Sequence, residues 1–91
     1  MKMNKELNEL VEENNLQYII NDIEKISKEI NENKLDIVFE ISNLDAYSRV
    51  GKLVFYTKEN KRIIAAKNYD YTSLPISKYE FELNNDELLL K

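Results

Sequence analysis

Leu16–Ser42, LQYIINDIEKISKEINENKLDIVFEIS, decides the fold, because the period of its apolar residues changes along the way. Leu16, Ile19, Ile20, Ile23, Ile26 and Ile30 recur at three- and four-residue spacing, one wide stripe of an amphipathic helix. Glu24 precedes Lys28 by four, the favourable orientation for a helical ion pair. After Asn31-Glu32-Asn33 the period becomes two. Leu35, Ile37, Phe39 and Ile41 alternate with Asp36, Val38, Glu40 and Ser42, the pattern of a half-buried strand.

Upstream, the helical reading extends from Met3 to about Asn33. Leu7, Leu10 and Val11 are out of phase with the later stripe, and Asn14-Asn15 lies between the two sets. This predicts a break there, with Asn15 as N-cap of a second helix; one continuous helix is the alternative. Downstream, Ser42–Ser48 is a connection in which Ser42 and Asp45 could cap a single turn. Arg49–Thr57 reads as a second strand, with Leu53 and Phe55 facing one way and Val54 and Tyr56 the other. Lys58-Glu59-Asn60-Lys61 is a polar turn into a third strand, Arg62–Tyr71. Pro75 stops pairing in the Thr72–Ser77 loop. Lys78–Leu83 is a fourth strand, with Tyr79, Phe81 and Leu83 inward. Glu87–Lys91 is open between a frayed helical turn and a short edge strand.

The expected architecture is α+β. An N-terminal helix, broken or not near Asn14-Asn15, packs on a four-stranded antiparallel β-meander as a two-layer sandwich. Residues 1–91 are expected to form one domain, helical over 1–33, sheet over 34–83, with a short tail at 84–91.

Hydrophobic residues at 43% and charged residues at 33% suit a folded chain and argue against disorder. No apolar run reaches membrane-spanning length and no apolar signal core opens the chain, so a cytoplasmic location is expected. The absence of cysteine agrees with that. Asn, Lys, Ile and Tyr supply 39 of 91 residues, a bias typical of AT-rich genomes such as those of low-GC bacteria and their phages.

Charge is distributed unevenly. Residues 1–48 carry eleven acids and five bases; residues 49–68 carry six bases (Arg49, Lys52, Lys58, Lys61, Arg62, Lys67) and one acid, Glu59; residues 69–91 are acidic again. A basic, tyrosine-bearing hairpin within a chain of net charge −4 points to an acidic surface, a nucleic acid or the chain's own other face. Tyr56, Tyr69 and Tyr71 add aromatic surface beside the cations, as single-strand binding requires. The net negative charge argues against a general DNA binder. The acidic helix, with Glu6, Glu9, Glu12 and Glu13 in its first part, is the second candidate surface, suited to a basic groove.

Catalytic residues are sparse. There is no histidine and no cysteine, and the single glycine, Gly51, cannot make a phosphate-cradling loop. The strand carboxylates Asp36/Glu40 and Glu80/Glu82 read as solvated faces. No catalytic, cofactor or metal residue is assigned, and an enzyme is not expected.

These features match, in kind and without a shared motif, small phage-encoded inhibitors of bacterial defence or host enzymes, anti-CRISPR proteins among them. The expected function is therefore a non-enzymatic binding protein that occupies the surface of a host or defence protein. The alternatives are a nucleic-acid-binding accessory protein using the 49–67 hairpin and a structural dimeric subunit. Leu7, Leu10, Val11 and Leu88-Leu89-Leu90 are the apolar residues first suspected of partner or dimer contact.

Overall fold

The computed structural model describes residues 1–91. In chain order it contains β1 (Lys2–Met3), α1 (Lys5–Glu13), α2 (Gln17–Ile30), β2 (Lys34–Asn43), β3 (Arg49–Thr57), β4 (Ile63–Asp70), β5 (Ser77–Asn84) and β6 (Glu87–Leu90). The chain is α+β, with two helices and a six-stranded, mostly antiparallel sheet.

The helical region starts later than the periodicity suggests, since Met3 belongs to β1. The start is set by Asn4, whose Oδ1 accepts from the Leu7 N–H at 2.8 Å and satisfies one of the orphan donors of the first turn. The expected break is present, but Asn15 serves the first helix rather than the second. It sits in the left-handed region at φ 56°. Its N–H donates to the Glu12 carbonyl at 3.4 Å, and the Leu16 N–H donates to Val11 at 2.9 Å. This pair of bonds is a Schellman closure, and the buried Leu16 supplies the apolar contact that accompanies it. Leu16, not Asn15, stands at the N-cap of α2, with no side-chain bond to cap it. Asn31, left-handed at φ 55°, ends α2.

The sheet order is β1-β6-β5-β2-β3-β4, which corrects the four-stranded meander. β2, β3 and β4 are sequential neighbours, but β5 returns to pair with β2, so these four strands take a Greek-key order. The return is anchored where the Tyr71–Ile76 crossover passes the end of β3. The Thr72 N–H donates to the Arg49 carbonyl at 3.1 Å and Arg49 Nη1 donates to the Leu74 carbonyl at 2.7 Å. β2 is thus central, and its Leu35, Ile37, Phe39 and Ile41 are all buried. The tail is a strand rather than a helical turn. β6 lies between β5 and β1, away from the sheet edge, and pairs in parallel with β1.

One core collects both helices and one side of the strands: Leu7, Val11, Leu16, Ile19, Ile20 and Ile23 from the helices, with Phe39, Phe55, Phe81 and Leu88 among the strand residues. Leu7, Val11 and Leu88 therefore lie inside the chain's own core, which removes them as partner contacts; Leu10 and Leu89 are half-buried. Gly51 on β3 has a packing role. A Cβ there would lie 2.9 Å from Phe39 Cε1 and 3.4 Å from Tyr69 Cβ, so the glycine leaves room for the Phe39 and Tyr69 rings, which meet edge-to-face at 5.7 Å. No helix is long and apolar enough to cross a membrane.

Candidate functional site

The basic hairpin is closed by its own polar side chains. Lys61 takes φ 55°, and the Thr57 N–H donates to the Arg62 carbonyl at 2.9 Å while Thr57 Oγ1 bonds Asn60 Oδ1. This turn sends two lysines across the sheet face opposite the core. Lys58 Nζ pairs with Glu82 Oε1 on β5, and Lys61 Nζ pairs with Asp36 Oδ2 on β2. Lys91 Nζ reaches the other oxygen, Asp36 Oδ1, at 2.8 Å. Asp36 is buried, and burial alone would raise its pKa. The hydrogen bonds and charges of Lys61 and Lys91 outweigh that and hold it below the ordinary carboxylate range.

The next strand repeats the pattern toward the helices. Lys67 Nζ lies 2.9 Å from Asp22 Oδ2 on α2, and Tyr69 Oη donates to the same oxygen at 2.5 Å. The ammonium of Lys67 also stands 5.2 Å from the centre of the Tyr69 ring. Burial pushes Asp22 up, and the bonds from Tyr69 and Lys67 bring it below its ordinary value. Burial, together with donation to Asp22, pushes the Tyr69 phenol well up, so it stays protonated.

Of the twelve residues singled out from sequence, the structure therefore ties Lys58, Lys61, Lys67 and Tyr69 to acids of the same chain, and Arg49 to a backbone carbonyl. Tyr56 is half-buried on β3, directly across from Asp36. Lys52, across from Glu40, and Arg62 are exposed and carry no ion pair. Glu6, Glu9, Glu12 and Glu13 are exposed on α1, where only Glu9 has an ion-pair partner, Lys5 at 3.9 Å. The basic and acidic candidates do not converge on one site.

The cleft beside the C-terminal end of α2 is lined by Glu24, Ser27, Lys28, Glu32 and Asp86 among others, and the Ser27 hydroxyl donates to the Glu24 carbonyl of its own helix. No group of three or more acids gathers to hold a metal ion.

A surface not anticipated from sequence lies at the other end of the sheet. The β2–β3 loop, Leu44–Ser48, and the crossover Tyr71–Ile76 both lie there, and Arg49, the residue after the loop, bonds the crossover at Thr72 and Leu74. They expose Leu44 (58%), Tyr47 (99%), Tyr71 (74%) and Ile76 (57%). Both loops are ordered by their own polar groups. Asp45 Oδ1 accepts from the Tyr47 and Ser48 N–H groups at 2.7 and 2.9 Å, so the Ser42–Ser48 connection is closed by an Asx turn on Asp45. Thr72 Oγ1 accepts from the Leu74 N–H at 3.2 Å, and Ser77 Oγ donates to the Pro75 carbonyl at 2.8 Å. Tyr71 is held left-handed at φ 55°, a conformation that favours glycine or asparagine and costs a β-substituted residue about 1 kcal/mol or more. The signal was available in sequence. Leu44, Tyr47 and Ile76 are apolar residues inside segments read as loops, with no strand face to bury them.

By its fold the chain is a small α+β protein built around a Greek-key arrangement of four strands. Compared with protein-family models, curated proteins and solved structures, it matches none.

Proposed function

We propose that this chain is a non-enzymatic binding protein that occupies the surface of a partner protein, and that the loop end of the sheet is what it presents. The observation that carries this reading is the pairing of exposure with order at Leu44, Tyr47, Tyr71 and Ile76: large apolar side chains held outward by loops that are internally hydrogen-bonded. Tyrosines supply contact area at low conformational entropy cost, and preordered loops lose little freedom on docking. The partner chemistry this suits is an apolar cleft with polar rims, into which Tyr47 inserts. An inhibitor of a host or defence protein, of the kind phages and other mobile elements encode, fits this mode of action. Docking blocks access to the target, and no turnover is needed. The same reading takes helices and sheet as two layers and places the chain in the cytosol.

The nucleic-acid reading draws less support, because it needs lysines that here neutralise Asp36, Glu82 and Asp22. Affinity capture from a low-GC bacterial lysate, with and without nuclease and at two salt concentrations, separates the two. The proposal expects one stoichiometric protein that survives nuclease and is lost when Tyr47 and Tyr71 are both changed to Ala. Capture that disappears with nuclease, and with Lys58, Lys61 and Arg62 changed to Glu, would transfer the function to the hairpin.

A further inference from the structure

The loop end of the molecule includes the junction of the two helices. α1 starts beside β1, whose Met3 pairs with Leu88, and further along Leu10 lines a cleft with Tyr79 and Leu90. The helix thus runs toward the start of β5, which the Tyr71–Ile76 crossover feeds. Tyr18, in the first turn of α2, meets the Tyr69 ring edge-to-face at 5.8 Å, two residues before Tyr71. Tyr18 is exposed there, as are Tyr47 and Tyr71.

The free charge at this end is of one sign. Glu12 and Glu13 are exposed in the last turn of α1, which contains no base. The carbonyl end of a helix disfavours acids, so they do nothing for α1. Nor do they cap α2, whose N-terminus receives no side-chain bond. Asp45 and Asp70 are exposed beside the two loops, and none of these four acids has an ion-pair partner. The nearby cations are committed or face acids: Arg49 Nη1 donates to the Leu74 carbonyl, Lys78 lies 3.7 Å from Glu80, and Lys52 stands across from Glu40. Asp45 comes two residues before Tyr47 and Asp70 directly before Tyr71, so each loop offers a ring and a carboxylate to the same partner surface.

Building on the reading of the loop end as the docking surface, we propose that the partner's cleft is a groove for single-stranded nucleic acid, with an apolar, aromatic floor and a rim of lysine and arginine. Such grooves stack bases on aromatic side chains and pair phosphates with cations. The loop end carries the matching pair of features, tyrosine rings in place of bases and carboxylates in place of phosphates. A neutral cleft would take the rings equally well but would leave Glu12, Glu13 and Asp70 without counter-charge, and an acidic rim would repel them.

The test is competition on the captured partner, with an oligothymidylate of about 20 nucleotides as the probe, longer than one binding site. The partner should bind the probe, the full chain should displace it, and nuclease treatment of the lysate should raise capture by emptying the groove. Glu12→Gln, Glu13→Gln and Asp70→Asn together remove three charges at nearly constant shape and leave Asp45 to its turn. This triple variant should bind the partner about tenfold or more weakly at low salt, with the gap closing at high salt as screening removes the same attraction. Its melting temperature should hold or rise. A partner that does not bind the probe, a probe and chain that bind together, or a triple variant that binds like the parent at low salt would each overturn the proposal. So would a lower melting temperature in that variant, which would assign the acids to the fold. In each case the docking reading stands if changing Tyr47 and Tyr71 to Ala still abolishes capture. If that variant also binds like the parent, or if no protein is captured, both fall.

Discussion

The two ends of the sheet invert the usual division between inside and outside. At the hairpin end, the groups that water solvates best are tied down: Lys58 to Glu82, and Lys61 to Asp36 with Lys91 on the same carboxylate. At the loop end, groups that water solvates worst are held out in it: Leu44, Tyr47, Tyr71 and Ile76. A run of cations in a sequence is therefore a poor guide to the charge a partner meets, because folding can bring acids from 24 to 45 residues away to neutralise it. Apolar side chains that folding fails to cover are the better guide, provided the backbone beneath them is ordered.

The largest effect that could break this contrast is on binding. Tyr47→Ala removes an aromatic anchor, and hot-spot tyrosines are worth about 2 kcal/mol or more, roughly thirtyfold in Kd. Titration of the captured partner should show that loss, with the melting temperature unchanged because the ring touches solvent on all sides. Lys58→Ala, at the other end, should leave affinity within error. The reverse ranking would make the hairpin the docking surface.

Next comes packing at the junction of the core and the β3–β4 pair. Gly51→Ala drives a methyl group into the buried Phe39 ring and should destabilise by about 1–3 kcal/mol in urea unfolding. An unchanged midpoint would mean that Phe39 and Tyr69 can separate freely, and the rigid footing of the neighbouring loops would go with it.

A smaller effect sharpens the hairpin side. Asp36 and Asp22 are both held below their ordinary value of 3.8. A carboxyl with a depressed folded pKa contributes stability above its unfolded pKa, and that contribution disappears as the pH falls through the folded value. Melting temperature should thus be flat near neutrality and fall below about pH 4. Asp36→Ala should cost about 1–2 kcal/mol at pH 7, since the two freed lysines can turn into water, and should flatten the acid limb. An acid limb of unchanged depth in that variant would show that the Asp36 lysine pairs do not form in solution.

Much of the fold was legible because it follows from period. The Leu16–Ile30 stripe, the phase break at Asn14-Asn15 and the β2 alternation each state which face is buried. Alternation does not state which strand lies beside which. Leu35–Ile41 reads the same at an edge as at the centre, and only the pinned crossover moves β5 to the far side of β2. Leu88-Leu89-Leu90 has no alternation to read, yet Leu88 is fully buried between neighbours on both sides. The site was less legible for a related reason. Lys67 and Asp22 are 45 residues apart, and no local rule couples them. The loop end was readable only by elimination, as apolar residues with no element to bury them.

Tyr71 gives the smallest predicted change in stability and the most discriminating one. Asparagine or glycine suits φ 55° best, as at Asn15, Asn31 and Asn85; Lys61 is the other exception in this chain, and its side chain is committed to Asp36, whereas the Tyr71 ring is exposed. Tyr71→Asn keeps a side chain suited to that backbone and removes an exposed ring, so its melting temperature should match or slightly exceed the parent's, within about 0.5 kcal/mol. Partner affinity should fall in the same variant. That opposition of signs, stability held or gained while binding is lost, is what a surface shaped for a partner predicts. A ring that serves the fold would show the opposite, a lower melting temperature with binding intact, and the left-handed tyrosine would then need a structural explanation.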